Sequence, residues 1–412
     1  MSASRYEIPI IDLTAIGKIF IYVSLAFTIT NFIPLSVSFV IFFFLAAPVL
    51  FPRLLYSKVD VVVWSLLAIY TYFLVWLLVY SPRALLEYEF YRRDGNFFIT
   101  FFPVLLFPFF RINVDLKQIL RCLLLWALVL SSASYFFHFL FPTKPIFHGL
   151  FHAHNAAGGY FAMLCAFATG LFMAERRWFD LFTLIAFGFL LLETDSRGSL
   201  LGLIMASMLL VPVLRSARWV LFVVALVSLL ILTVIYLHPV WVMNGEAPAG
   251  FKVDYVDFLF PIDRAYTIVD RVFFLWPRAV DSWLKSPIFG VGYGAYNDLP
   301  YIFRGWDYLI SINQPKDLVY SDAHSHNTYL HLLAETGLVG LLLVIFFVKS
   351  LEAKILAQYD LGLRNGFQLA LWVAIWSSFS EHRLFTPSQM LPFTLLTGLL
   401  MARCQKDRAM TM

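Results

Sequence analysis

Residues 322–340 read Asp322-Ala-His-Ser-His-Asn-Thr-Tyr-Leu-His-Leu-Leu-Ala-Glu-Thr-Gly-Leu-Val-Gly340, and an apolar run continues past them. Two histidines and an amide stand immediately before a stretch of about 20 residues, enough to cross a bilayer as one helix. Titratable groups are costly at the mouth of a membrane helix and are seldom kept there without a use. The start of a helix also offers unpaired N–H groups and the positive end of a dipole to an anion. The stretch therefore reads as one wall of a site for a phosphate-bearing substrate at a membrane surface.

The rest of the chain supplies the membrane. Of 412 residues, 61% are hydrophobic and only 14% are charged. The mean hydropathy is +0.78, which excludes a soluble domain of this length. Backbone in hydrocarbon must satisfy its own hydrogen bonds, so only helices or a closed barrel are available. The apolar runs are continuous rather than alternating, which selects helices. The fold class is thus an all-α integral membrane protein. Cys122, Cys165 and Cys404 fall in or beside these runs and read as small apolar fillers. No cleavable leader is expected, because the first apolar run leads into Pro34 and a second run.

About twelve spans are expected, near 15–33, 35–51, 59–80, 96–110, 119–141, 156–174, 179–193, 198–214, 217–237, 329–348, 364–380 and 389–403. They divide the chain into spans one to nine (1–237), a large loop (238–328), and three further spans with a tail (329–412). The loop is too long for a simple turn and is expected to be folded. An amphipathic helix is expected around 264–285, interrupted at Pro277. With the N-terminus inside, seventeen Lys and Arg fall in inner segments and six in the short outer loops. That asymmetry favours N-in, C-in, with the large loop outside.

In this arrangement the unusual polar residues gather on the outer face. His152, His154 and Asn155 open one span; Asp195, Ser196 and Arg197 open another; His324, His326 and Asn327 open a third. Glu381, His382 and Arg383 precede the last. Three helix starts with Arg197 and His326 at their tips would make an anion-binding floor. Arg197 is alternatively an arginine snorkelling to headgroups. Arg264, Arg271, Arg278 and Lys285 recur every seven residues, which on a helix gives one basic face. Such a face either clamps a diphosphate or is solvated and offset by Asp263, Asp270 and Asp281. Gly290, Gly292 and Gly294 read as a tight turn, and Glu335 as a carboxylate paired with an arginine from another span. His326 is a candidate general base or only a hydrogen-bonding residue. Four histidines, 152, 154, 324 and 326, are an alternative zinc set, but no carboxylate pattern accompanies them. A transporter is the rival class, although transporters bind near the midplane and these charges sit at an edge.

The stretch His326-Asn-Thr-Tyr-Leu-His-Leu-Leu-Ala-Glu-Thr-Gly-Leu-Val-Gly340 resembles the hallmark of the O-antigen ligase/O-antigen polymerase superfamily. Arg271, Trp276, Pro287 and Gly290-Val-Gly-Tyr-Gly294 resemble its large-loop signature, and Ser196-Arg-Gly198 resembles an earlier arginine-bearing span. The resemblance implies a GT-C-like, metal-independent membrane glycosyltransferase without a cofactor. Its donor would be a glycan on undecaprenyl diphosphate, and nucleic acid has no part. The resemblance makes His326 catalytic and Arg197 and Arg271 the diphosphate contacts. His324, Asn327, Arg264, Arg278, His154 and Asn155 are supporting candidates. The ligase branch is expected, with lipid A-core as acceptor and Arg83, Arg92 and Arg93 on the rim. The expected location is the bacterial inner membrane, with the site on the periplasmic face.

Overall fold

The computed structural model describes residues 60–86, 90, 94–109, 114–141, 146–236, 271, 275–296 and 324–410. They form α1 (Val61–Tyr80), α2 (Asn96–Leu106), α3 (Leu116–Leu140), α4 (His154–Glu175), α5 (Trp178–Glu193) and α6 (Arg197–Ser207). Then come α7 (Pro212–Tyr236), α8 (Trp276–Lys285), α9 (Thr328–Leu356), α10 (Leu361–Ser377) and α11 (Pro387–Met410). No strand occurs among the described residues. α1, α3, α4, α7 and α9 are long and apolar enough to cross a membrane. The expected spans near 15–33 and 35–51 lie outside the described residues. The other ten coincide with helices, five of them among the described residues long and apolar enough to cross a membrane.

Local chemistry sets the helix starts. Asp60, Asp115, Asn327 and Asp360 cap α1, α3, α9 and α10 by accepting backbone N–H bonds with their side chains. α4 is central, with 78% of its apolar window buried, whereas α7 is peripheral with 11%. α4 lies against α10 where Gly170 meets Gly366; a Cβ on Gly170 would stand 2.1 Å from the Gly366 nitrogen. Small residues let the two backbones approach without side chains between them.

α9 is broken at Gly337, whose φ is 62° and ψ −164°. A broken helix frees N–H and C=O groups that hydrocarbon cannot satisfy. The 287–292 turn takes their place. The N–H groups of Val291 and Gly292 donate to the carbonyls of Ala334 and Glu335 at 2.9 and 3.0 Å. Those of Leu338 and Val339 donate to Pro287 and Ile288 at 2.9 and 3.1 Å. A Cβ on Gly290 would fall 2.3 Å from the Glu335 carbonyl carbon, so the glycine is required by close approach. The three-glycine run is therefore a turn, as read, but one that mends a membrane helix.

Of the expected amphipathic helix over 264–285, the described part is α8. α8 starts at Trp276 with Pro277 in its first turn, where a missing N–H costs nothing. Residues 264–270 lie outside the described residues.

Candidate functional site

The site is built on the 378–386 segment between α10 and α11, against which three helix starts are packed. Thr328, the first residue of α9, donates its N–H to the Ser378 carbonyl at 2.9 Å. Its hydroxyl donates to the Glu381 carbonyl and accepts from the Arg383 N–H, both at 3.1 Å. The Asn327 side chain accepts from Tyr329 and Leu330 N–H and donates to the Phe379 carbonyl at 2.8 Å. Arg383, 2% exposed, ties in the other two starts. It donates to the Asn155 carbonyl at 2.7 Å on α4 and to Ser199 Oγ at 2.6 Å on α6. Gly198 on α6 is pressed against Ser380, where a Cβ would meet Oγ at 2.2 Å.

Two of these starts share a backbone device. Asp195 and His326 have φ of 46° and 49°, each one residue before the cap of its helix. Left-handed geometry is uncommon for non-glycine residues and is held by surrounding contacts at functional sites. It turns His326 toward the 380–381 segment.

There His326 Nδ1 faces Glu381 Oε2 at 3.3 Å. Arg271 donates to Glu381 Oε1 at 2.8 Å and to the Ser380 carbonyl at 3.0 Å. The same guanidinium lies 3.5 Å from His326 Nδ1. Burial by itself raises the Glu381 pKa, but the His326 hydrogen bond and the charges of Arg271 and Arg383 outweigh it. The carboxyl is held well below its usual range and is ionised. An ionised carboxylate at the shorter distance selects the tautomer with the proton on Nδ1, leaving the Nε2 lone pair as a base. Burial lowers Arg383 to about 10 against the attraction of Glu381, so it stays charged at neutral pH. Burial, then the neighbouring His331, His324 and His326, hold His382 well below the ordinary histidine range.

Arg197 opens α6 with its side chain 42% exposed and its Nε 3.6 Å from Asp195. Gly198 beside it touches both Ser380 and Glu381, so Arg197 borders the segment that Arg271 grips. His154 and Asn155 open α4, and Asn155 reaches Arg383 through its carbonyl. His324 is turned inward: its ring stacks on His382 at 4.8 Å and meets His326 edge-on at 4.6 Å.

Four readings change. Arg278 is buried at 4% exposure, donates to the Tyr296 carbonyl at 2.8 Å and covers the Tyr296 ring at 4.6 Å. It is a packing arginine, because α8 buries this face against α9. Lys285 pairs with Asp281 on the exposed side at 2.9 Å, as the offset reading had it, so Arg271, Arg278 and Lys285 do not share one basic face. Arg264, Arg92 and Arg93 lie outside the described residues. Glu335 has no arginine partner among the described residues; it accepts from the Tyr296 N–H at 3.2 Å and faces His331 one turn earlier at 3.5 Å. Helical i,i+4 spacing brought that partner within reach. Carboxylates do accompany the histidines in space: Glu381 sits beside His326, and Asp94 lies 2.9 Å from His331 Nε2. Among the described residues His152 and His154 do not join His324 and His326 in a group close enough to share an ion.

Residues 181–345 match the family model described as O-antigen ligase. No curated protein matches the chain. The matched stretch contains Arg197, Arg271 and His326 and ends before Glu381, His382 and Arg383. Members of the family are glycosyltransferase-like enzymes, ligases or polymerases, that act on lipid-linked glycans. Apolar helices together with that match suggest a multi-pass membrane protein, and residues 181–345 are similar to the O-antigen ligase/polymerase superfamily.

Proposed function

We propose that the chain is a membrane glycosyltransferase that moves an O-antigen glycan from undecaprenyl diphosphate to a sugar hydroxyl of lipid A-core. The observation that carries this reading is the Arg271–Glu381–His326 constellation, set where the starts of α4, α6 and α9 meet. The acceptor hydroxyl oxygen attacks the anomeric carbon as the bond from that carbon to the diphosphate oxygen breaks. The electron pair leaves with undecaprenyl diphosphate, and the hydroxyl proton passes to His326 Nε2. Glu381 holds the imidazole in the required tautomer and favours the imidazolium that forms. Arg197, Arg271 and the helix starts offset the negative charge developing on the leaving group. One displacement inverts the anomeric carbon. Glu381 is committed to Arg271 and His326, which argues against a carboxylate nucleophile. In this reading the site opens on the periplasmic face of the inner membrane, with Arg83 on its rim.

A chromosomal null separates ligase from polymerase. A ligase null accumulates lipid-linked polymer of normal length and leaves lipid A-core uncapped. Accumulation of single repeat units, with lipid A-core still capped by one unit, identifies a polymerase and overturns the ligase reading.

A further inference from the structure

Behind the transfer site lies a second group of polar side chains that the reaction above does not use. Asp94 precedes α2, His331 and Glu335 lie on α9, and His382 stands between Glu381 and Arg383. All four are buried, at 2%, 0%, 1% and 6% exposure. Ligand atoms of Asp94, His331 and His382 fall within 4.8 Å of one another. His331 Nε2 is 2.9 Å from Asp94 Oδ1, His382 Nε2 is 4.0 Å from the same oxygen, and Glu335 Oε2 is 3.5 Å from His331 Nε2.

We propose that Asp94, His331 and His382 form a structural site for one zinc ion, with Glu335 beside His331.

Three observations carry this. First, atoms turned toward the group lack hydrogen bonds among the described residues: His382 Nε2 and Glu335 Oε2. A buried polar atom left without a partner is costly, and a cation between them removes the cost for both. Second, bonds of about 2.0–2.2 Å in a tetrahedral zinc site set its ligand atoms about 3.3–3.5 Å apart. The 2.9 and 4.0 Å separations of Asp94 from His331 and His382 straddle that value, and the three ligand atoms all lie within 4.8 Å of one another. Third, the charges balance. Two carboxylates, two neutral imidazoles and one divalent cation sum to zero. Net charge buried in a membrane bundle is expensive. Imidazole and carboxylate donors together are a zinc-type set, and thiolates are not required.

The ion takes no part in transfer. It ties the 381–383 segment to α9 and to the start of α2, and thereby fixes the residues on either side of His382. The site resembles neither set of histidines readable from the sequence, because its ligands come from three separate parts of the chain.

The test is metal content, which needs no turnover and so stands or falls separately from the proposed function. The full chain is purified in detergent through a tag without histidine, dialysed against chelator, and its zinc measured by elemental mass spectrometry. About one equivalent is expected, since a ligated ion buried in the bundle exchanges slowly. His331→Ala, His382→Ala and Asp94→Asn should each lose most of it, while His148→Ala, outside the group, keeps it. Protein made in cobalt medium should show visible d–d bands of four-coordinate geometry, absent in His382→Ala. Wild-type zinc below about a tenth of an equivalent overturns the proposal, and a hydrogen-bonded proton network is then the occupant. Equal zinc in wild type and in the ligand variants means an adventitious ion only. Should the variants fail to fold, wild-type content and the cobalt spectrum decide alone.

Discussion

The two ends of α9 carry similar side chains and treat them in opposite ways. At its C-terminal end, Glu352 is fully used. It accepts from Arg218 Nε at 2.7 Å and from the indoles of Trp219 and Trp372, both at 2.8 Å. Nearby, Arg121 pairs with Glu175 and Asp180 at 2.8 Å, and Lys117 bridges Glu175 and Asp360. Every one of those carboxylates faces a cation. At the N-terminal end, His382 has neither ring nitrogen bonded among the described residues, and Glu335 Oε2 and Arg383 Nε are likewise without hydrogen bonds. His326 holds a left-handed conformation there as well. The contrast is one of degree, since Arg176 beside Glu175 is also left-handed and Arg364 Nε is also without a hydrogen bond among the described residues, but the under-bonded groups are concentrated at the N-terminal end.

That contrast breaks most sharply at His326. His326→Ala should lower transfer by about a thousandfold or more while the protein inserts and elutes normally. Near-normal transfer in washed membranes would remove it from the mechanism. Arg271→Ala and Arg197→Ala should each cost about a hundredfold, with lysine restoring only part because a point charge lacks the guanidinium fork. Full activity in both lysine variants would mean generic charge attraction. Glu352→Ala reads the other end: it should cost about 2–4 kcal/mol of stability, seen as a lower melting temperature, with the rate per folded molecule unchanged.

Glu381→Gln should slow transfer and change its pH dependence. The folded-state pKa of Glu381 is depressed, so its ion pair contributes fully above the unfolded value. The contribution disappears only as pH falls through the folded value, below the usual carboxylate range. Near neutrality the carboxylate is constant, and any acid limb belongs to another group. Removing it disfavours a protonated neighbour, so that limb should move to lower pH in the variant. An unmoved limb with a slower rate would reduce Glu381 to packing. Lys285→Ala, which removes an exposed pair on α8, should change stability by less than about 0.5 kcal/mol.

Membrane character, helical class and the polar residues at the start of α9 were legible in the sequence, because they depend on local runs and spacings. Hydrophobic length sets a span, and Asn327 before an apolar run announces its own cap. Arg271 and His326 were legible through the resemblance that their surroundings carry. The partners were not. Arg278 and Arg271 have the same spacing relation to the series, yet one packs on Tyr296 and the other grips Glu381. Glu381 and Arg383 stand out in the sequence only as polar residues before the last span, and Asp94 as an ordinary charge, all distant along the chain from His326 and His331. Glycines 290 and 337 look like two unrelated breaks until the turn that carries one is seen bonded into the gap at the other. Periodicity fixes which residues leave water. Which buried charge meets which is decided only when segments far apart in the chain are packed, since those electrostatic contacts act over a few ångströms of space and not along the sequence.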